Sequence, residues 1–329
     1  MAEKKVLPCS QERGLRWGED RYYTLAHYLK ETFGRRLYKL ALDGGMSCPN
    51  RDGTLDTRGC IFCSRGGSGD YASDRNLPIA EQIETAKALI AHKVSSSSAP
   101  SYIAYFQAYT NTYPPKGSDS ISWLKERFLP AIRHPEVAVL SIATRPDCLS
   151  EEICDLLAEL NQQKPVWVEL GLQTAQESTA HWLRRGYDNA VFEQALRRLE
   201  KRSLDIIVHL ILGLKGETLS DMTASVHYIN QFPIQGVKFQ LLHVLSGTDL
   251  SLEWDKLHIL SEEEYIDCLL SCLAALSPST IVHRITGDAP RSLLLAPHWS
   301  LHKKQVFNHI RQALKTQDIW QGKCFTRPT

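Results

Sequence analysis

Short runs rich in β-branched and other apolar residues recur along the chain at 37–42, 102–106, 137–142, 166–171, 206–212, 237–242 and 280–285. Runs of this length, bounded by glycine, proline and polar residues, predict strands. Between them, stretches at 79–94, 120–133, 150–162, 189–201, 219–231 and 261–276 carry apolar residues three and four positions apart, the spacing of one helix face. The start at 261 is the best defined. Ser261 and Glu264 have capping-box spacing, and acidic residues fill the first turn, where the helix dipole favours them.

Strand and helix alternate through six or seven units, which predicts an α/β fold with a parallel sheet, because parallel neighbours need a crossover and a helix supplies it. Alternation alone does not separate a barrel from an open sheet. In a barrel the chemistry lies at the C-terminal strand ends. Here those positions read DGG (43–45), QAYTNT (107–112), ATRPD (143–147), LGLQT (170–174), GLKGE (213–217) and HVLSGTD (243–249), a gathering of glycine, threonine and single charged groups. The SSSS segment at 95–98 reads as a loop, and no fixed-period repeat is present.

Composition narrows the class of protein. At 329 residues, 43% hydrophobic and 23% charged, the chain resembles an ordinary globular protein rather than a disordered, collagenous or disulfide-dense one. Basic and acidic residues nearly cancel, 38 against 37, so a polyanionic partner has to be met by a local patch. No apolar run approaches the roughly 18 residues of a membrane span, and the start, MAEKKVLPCSQERGLRW, lacks the apolar core of a secretion signal. The expectation is a cytoplasmic protein with no membrane partner, whose nine cysteines stay reduced.

Cys48, Cys60 and Cys63 stand in GGMSCPNRDGTLDTRGCIFCSRGGSGDYA, directly after the first predicted strand. Glycines through this loop let backbone amides approach a bound group and point at its negative charge. Three thiolates with no evident fourth fit a four-iron cluster that keeps one iron open. They also fit structural zinc with a remote fourth ligand, or unliganded core cysteines. Cys268 and Cys272, one helical turn apart on an apolar stripe, read as core.

The segment KLALDGGMSCPNRDGTLDTRGCIFCSRGGSGDYA resembles the radical S-adenosylmethionine (SAM) superfamily, and within it the YhcC/YtqA type, over most of residues 20–290. The spacing of the first two cysteines is longer than the superfamily's usual one, and that subfamily shares the insertion. The resemblance implies a partial, six-stranded (β/α) barrel of the TIM type over 36–290, with a [4Fe-4S] loop at 44–73, an N-terminal extension at 1–35 and a C-terminal extension at 291–329. It implies a cluster on Cys48, Cys60 and Cys63 whose open iron is chelated by SAM, and reductive cleavage of SAM to a 5′-deoxyadenosyl radical. An electron donor such as flavodoxin or ferredoxin follows from that chemistry.

Carried over residue by residue, the resemblance places Phe62 beside the adenine. It puts Gln107, Asn111 and Thr112 near the methionine end, and Gln173 of ELGLQT alongside SAM. Arg185 falls where related enzymes pair an arginine with the SAM carboxylate, as suits a bidentate group. HLILGLKGET places Gly213 against the adenine, and His209 stands where relatives often have an acidic ribose contact. Arg145 of the TRPD turn, shared with Elongator-type enzymes, is a substrate candidate or a structural partner of a carboxylate. His283, Arg284 and Asp288 are further substrate candidates at the barrel mouth. Cys148 is read as a spare thiol.

Residues 291–329 hold seven Lys or Arg against one acidic residue, interleaved with Trp299, Phe307, Trp320 and Phe325. Such a basic-aromatic segment fits RNA phosphates and unstacked bases, or else a solvated helix that balances acidic residues elsewhere. Since Elongator-type enzymes modify the wobble uridine of tRNA, the resemblance points to tRNA and the maturation of 5-substituted uridine. Radical chemistry on a small molecule or a protein is the alternative, and a non-enzymatic zinc or iron–sulfur interaction protein the second.

Overall fold

A computed structural model describes residues 17–94 and 101–327, so the serine loop at 95–98 and Cys9 lie outside the described residues. The element order begins α1 (Leu25–Phe33), β1 (Tyr38–Leu42), α2 (Ile79–Ile90), β2 (Tyr102–Phe106), α3 (Ser120–Arg133), β3 (Val137–Thr144) and α4 (Glu151–Asn161). It continues with β4 (Val166–Gln173), α5 (Glu177–Trp182), α6 (Asn189–Glu200), β5 (Asp205–Leu212), α7 (Leu219–Ile229) and β6 (Gly236–Leu241). The last elements are β7 (Val244–Leu245), α8 (Glu262–Ala275), β8 (Ile281–Arg284), β9 (Leu294–Ala296) and α9 (Lys303–Thr316).

One sheet, in the order β1-β2-β3-β4-β5-β6-β8, is parallel throughout, and its helices follow the strands as crossovers require. The six strands that the resemblance implies are joined by a seventh, β8, at the run read over 280–285, whose Ile281 and Val282 pair with Gly236 and Val237. The outer edge of β8 is itself covered by residues 23–24, since Val282 donates its amide to the Tyr23 carbonyl. The capping box predicted at Ser261 is present, with both reciprocal bonds to Glu264.

Alternation along the strands separates two environments. Leu40, Ala104, Leu140, Val168, Val208 and Phe239 face the helices and join the main core. Ile103, Val139, Trp167 and Ile207 face the other way, where Leu29 of α1 and Leu37 pack against them and close the strand starts. Two residues further along the same strands the interior turns polar, with Tyr105, Ser141, Glu169 and His209. The sheet therefore presents a greasy floor, then a buried polar layer, then the strand ends.

The C-terminal extension is part of this body. Val306, Ile310 and Leu314 of α9, four residues apart, enter the main core, and Trp299 packs its ring 5.6 Å from that of Tyr265. Cys268 and Cys272 are likewise in the core. Cys324 departs from the expected reduced state, being disulfide-bonded.

Candidate active site

The chain leaves β1 into a long loop whose turns bring three sulfurs to one place. The Cys48 carbonyl accepts from the amides of Arg51 and Asp52, and the Cys63 amide donates to the Cys60 carbonyl. All three cysteines are half-buried free thiols and line a single cavity of about 230 Å³. Each of two sulfurs has a polar neighbour: Asn50 Nδ2 donates to Cys60 Sγ at 3.4 Å, and Ser68 Oγ lies 3.9 Å from Cys63 Sγ. The Arg51 guanidinium donates to the carbonyls of Cys63 and Ser64 at 2.8 and 2.6 Å. Gly59 makes room for it, since a Cβ there would sit 2.9 Å from Arg51 Nε.

Burial pushes the Cys60 thiol up to about 11, with Cys63 adding to the effect, and burial raises Cys63 too. Clustered thiolates would repel one another in so dry a place. A polynuclear cation that takes all three thiolates removes that conflict, and the amide and guanidinium donors around it are of the kind that stabilise a cluster. The donor set therefore fits an iron–sulfur cluster, and among the described residues no fourth cysteine or histidine lines this cavity beside the sulfurs except His209 and His243 on the opposite, strand side.

Lining the same cavity as the sulfurs, Gln173 ends β4 with φ +69, a conformation non-glycine residues rarely adopt, at a slip in the β4–β5 register. Its Oε1 is buried without a hydrogen-bond partner. A Cβ on Gly171 would lie 2.6 Å from Gln173 Nε2, so the glycine of LGLQT is what lets this side chain fold over the strand end. An unsatisfied buried carbonyl at a strained position beside a cavity calls for a donor from a ligand, and an amino, hydroxyl or adenine amino group of SAM can provide it. Phe62 and Gln107 line the same cavity, Gln107 donating to the Ser68 carbonyl at 2.7 Å.

Several other sequence-derived residues have partners within the fold. Asn111 donates to the Phe106 and Ala143 carbonyls at 3.0 and 2.9 Å, and the Thr112 hydroxyl bonds to Thr144 and to the Cys148 carbonyl. Both are buried outside the cavity and pin the loop after β2 to β3. Gly213 has φ +85 and packs against Leu260, again outside the cavity. His283 lies beneath the polar layer with its ring 5.2 Å from Trp167, not at the mouth.

Arg185 lines the cavity, but its five N–H groups are all engaged: by the carbonyls of Tyr187, Leu172 and Thr174, by Glu177 and by Asn189. It braces the strand end that carries Gln173, and would have to release a bond to grip a carboxylate. Arg145 forks onto Asp147 at 2.9 and 2.8 Å and lies 4.9 Å over the Tyr187 ring, at the cavity edge near Cys60. The Cys148 thiol is buried against Asp147, which raises its pKa further.

Two charged residues escaped the sequence reading. Glu169 and Lys238 sit inside strands otherwise apolar, both line the cavity, and their side chains are in contact. His209 Nε2 is 2.8 Å from the same carboxylate, and burial together with Lys238 lowers its pKa to about 4. His209 is thus neutral and held by the carboxylate within the cavity lining. A charge inside an apolar strand was the signal available, because such a residue survives burial only with a partner.

A half-barrel sheet with three free cysteines on its first loop, and a strained glutamine lining the same cavity, is an arrangement suited to a cluster and a second bound cofactor. The sequence profile of the Radical SAM superfamily matches residues 57–229, and that of the Radical_SAM C-terminal domain matches 234–316. The chain is 40% identical to YtqA of Bacillus subtilis (strain 168) over 311 residues, 94% of either protein. It is 33% identical to YhcC of Escherichia coli (strain K12) over 303 residues, 91% of this chain and 94% of that protein. The chain belongs to the radical SAM superfamily and, within it, to the YhcC/YtqA type. Among solved structures, archaeal Methanocaldococcus infernus Elp3 superposes with a TM-score of 0.60 at 16% identity, over 87% of this chain and 64% of that one. This likeness shows the shared half-barrel fold. The protein is a radical SAM enzyme whose cofactors are a [4Fe-4S] cluster and SAM. Among the described residues no helix is long and apolar enough to cross a membrane.

Proposed function

We propose that this enzyme modifies tRNA, in the maturation of a 5-substituted wobble uridine, with Cys48, Cys60 and Cys63 holding the cluster and Phe62, Gln107 and Gln173 around SAM. When bound, these cofactors supply a carbon-centred radical able to take hydrogen from an unactivated C–H bond. This chain's residues do the rest. Gln173 orients SAM through its unpaired carbonyl, Arg185 and Tyr187 hold that strand end rigid, and the barrel wall excludes water from the reacting atoms. The electron comes from a small donor such as flavodoxin or ferredoxin, and the work is done in the cytoplasm.

The observation that carries the tRNA reading is the solvent side of α9, where Lys304, Arg311 and Lys315 are exposed with no acidic partner among the described residues. Such a row meets phosphates. The TRPD turn and ELGLQT segment, similar to those of Elongator-type enzymes, support the same reading. Trp299 and Phe307 pack against the core and Trp320 lies under Lys323, so the reading rests on the charges of α9 rather than on these three rings. Because α9 is core, the test is charge reversal rather than deletion. K304E/R311E/K315E should weaken binding of bulk tRNA at least tenfold and lower the slope of affinity against salt by up to about three, with melting unchanged. An unchanged affinity and slope would remove α9 from tRNA recognition.

A further inference from the structure

We infer that the inner end of the cavity is an oxyanion subsite, in which Lys238 and Arg284 receive a carboxylate or phosphate group of the substrate. This rests on the cavity being the site of the radical enzyme, but not on the substrate being tRNA. Four donors converge on Glu169: Ser141 at 2.7 Å and Lys39 at 3.3 Å on Oε1, and His209 at 2.8 Å and Lys238 on Oε2. Two ammonium groups thus share one carboxylate. Lys39 is partly open to solvent, whereas Lys238 is 2% exposed and faces only the cavity and the Tyr105 ring. His209 adds no charge, as its Nδ1 faces the Gln240 amide and its proton affinity is low.

Arg284 enters the same cavity from the end of β8; burial first, then the neighbouring charges of Lys39 and Arg284, hold the Lys238 pKa well below its usual range. Its guanidinium meets Asp288 at 3.2 Å and makes no hydrogen bond among the described residues. Asp288 is itself claimed by Lys303. Four cations therefore surround two carboxylates, and the two of them that line the cavity, Lys238 and Arg284, keep N–H groups with no acceptor among the described residues. Keeping an under-compensated ammonium in so dry a place is unfavourable unless an anion completes it. A planar guanidinium fork beside a point-like ammonium suits a group with two or more anionic oxygens and gives a neutral amide nothing comparable.

The test titrates the full chain, carrying its cluster and S-adenosylhomocysteine, calorimetrically with acetate, inorganic phosphate and acetamide. Saturable binding of one equivalent of acetate or phosphate, but not of acetamide, is expected. The tighter anion tells whether the group is a carboxylate or a phosphate. Arg284→Met should lower that affinity at least tenfold, and Arg284→Gln, which keeps an N–H donor without the charge, should do the same; melting curves of both follow the fold. No saturable anion binding, acetamide binding as well as acetate, or folded variants that bind like the parent would overturn the subsite. Since no RNA is used, failure here leaves the tRNA reading standing, and failure of tRNA to bind leaves this result standing.

Discussion

Arg185 shows how a single residue can be read for two jobs. Its spacing from Gln173 suits a grip on the SAM carboxylate, yet its 2% exposure and five protein acceptors make it a brace. Removing it strands buried carbonyls of β4, so Arg185→Ala should lower stability by roughly 3 kcal/mol or more in urea unfolding. A variant as stable as the parent that has lost SAM binding would instead return Arg185 to cofactor recognition. Gln173 differs in kind. Its backbone strain and unpaired carbonyl have no structural return, which is why it marks the ligand side of the cavity.

At the scale of elements, strands and crossover helices were legible almost to the residue because short continuous apolar runs, buried on both faces of a parallel sheet, differ from the three-and-four spacing of helices. Two helices are harder to read: α9 reads as a solvated helix rather than a core one, and α5 is not legible at all. In α9 the buried positions Val306, Ile310 and Leu314 do repeat every four residues, but the density of Lys, His and Gln around them reads as surface. α5 has only six residues and owes its place to the Arg185 and Glu177 contacts, which no local pattern carries. Asn111 and Thr112 looked available because polar residues follow a strand, while their partners, the carbonyls of Ala143 and Cys148, are more than thirty residues away. If α9 is structural, Leu314→Ala should cost about 2–5 kcal/mol in chemical denaturation. A cost under about 0.5 kcal/mol would make α9 a detachable appendage.

For the whole molecule, the interior of the barrel sets a dependence on acid. His209 and His243 are held by burial near a pKa of about 4, below the ordinary 6.5, and His283 is lowered as well. Between those values the unfolded chain binds protons that the folded chain refuses. The stability from these groups is therefore complete above about pH 6.5 and is lost as pH falls toward 4, by about 3 kcal/mol for each of the first two. Glu169, held ionised by Lys238 and Lys39, acts in the same direction at lower pH. Denaturation midpoints that stay flat from pH 7 to about 4.5 would contradict this assignment.

The polar layer also explains what sequence could and could not show about the site. The cysteine loop is local, so Cys48, Cys60 and Cys63 stood out; Glu169, Lys238 and Arg284 come from three strands and become a site only when β4, β6 and β8 are assembled, with β5 between the first two, in one sheet. The central claim is that the radical formed at the cysteine loop acts on tRNA. The direct measurement is to reconstitute the chain anaerobically with iron and sulfide, reduce it, add SAM and deuterated tRNA from a strain lacking the gene, and weigh the 5′-deoxyadenosine formed. Deuterium in that product, absent when Cys60 is replaced by alanine, is the expected result. Abundant 5′-deoxyadenosine with no deuterium and no stimulation by tRNA would contradict the claim.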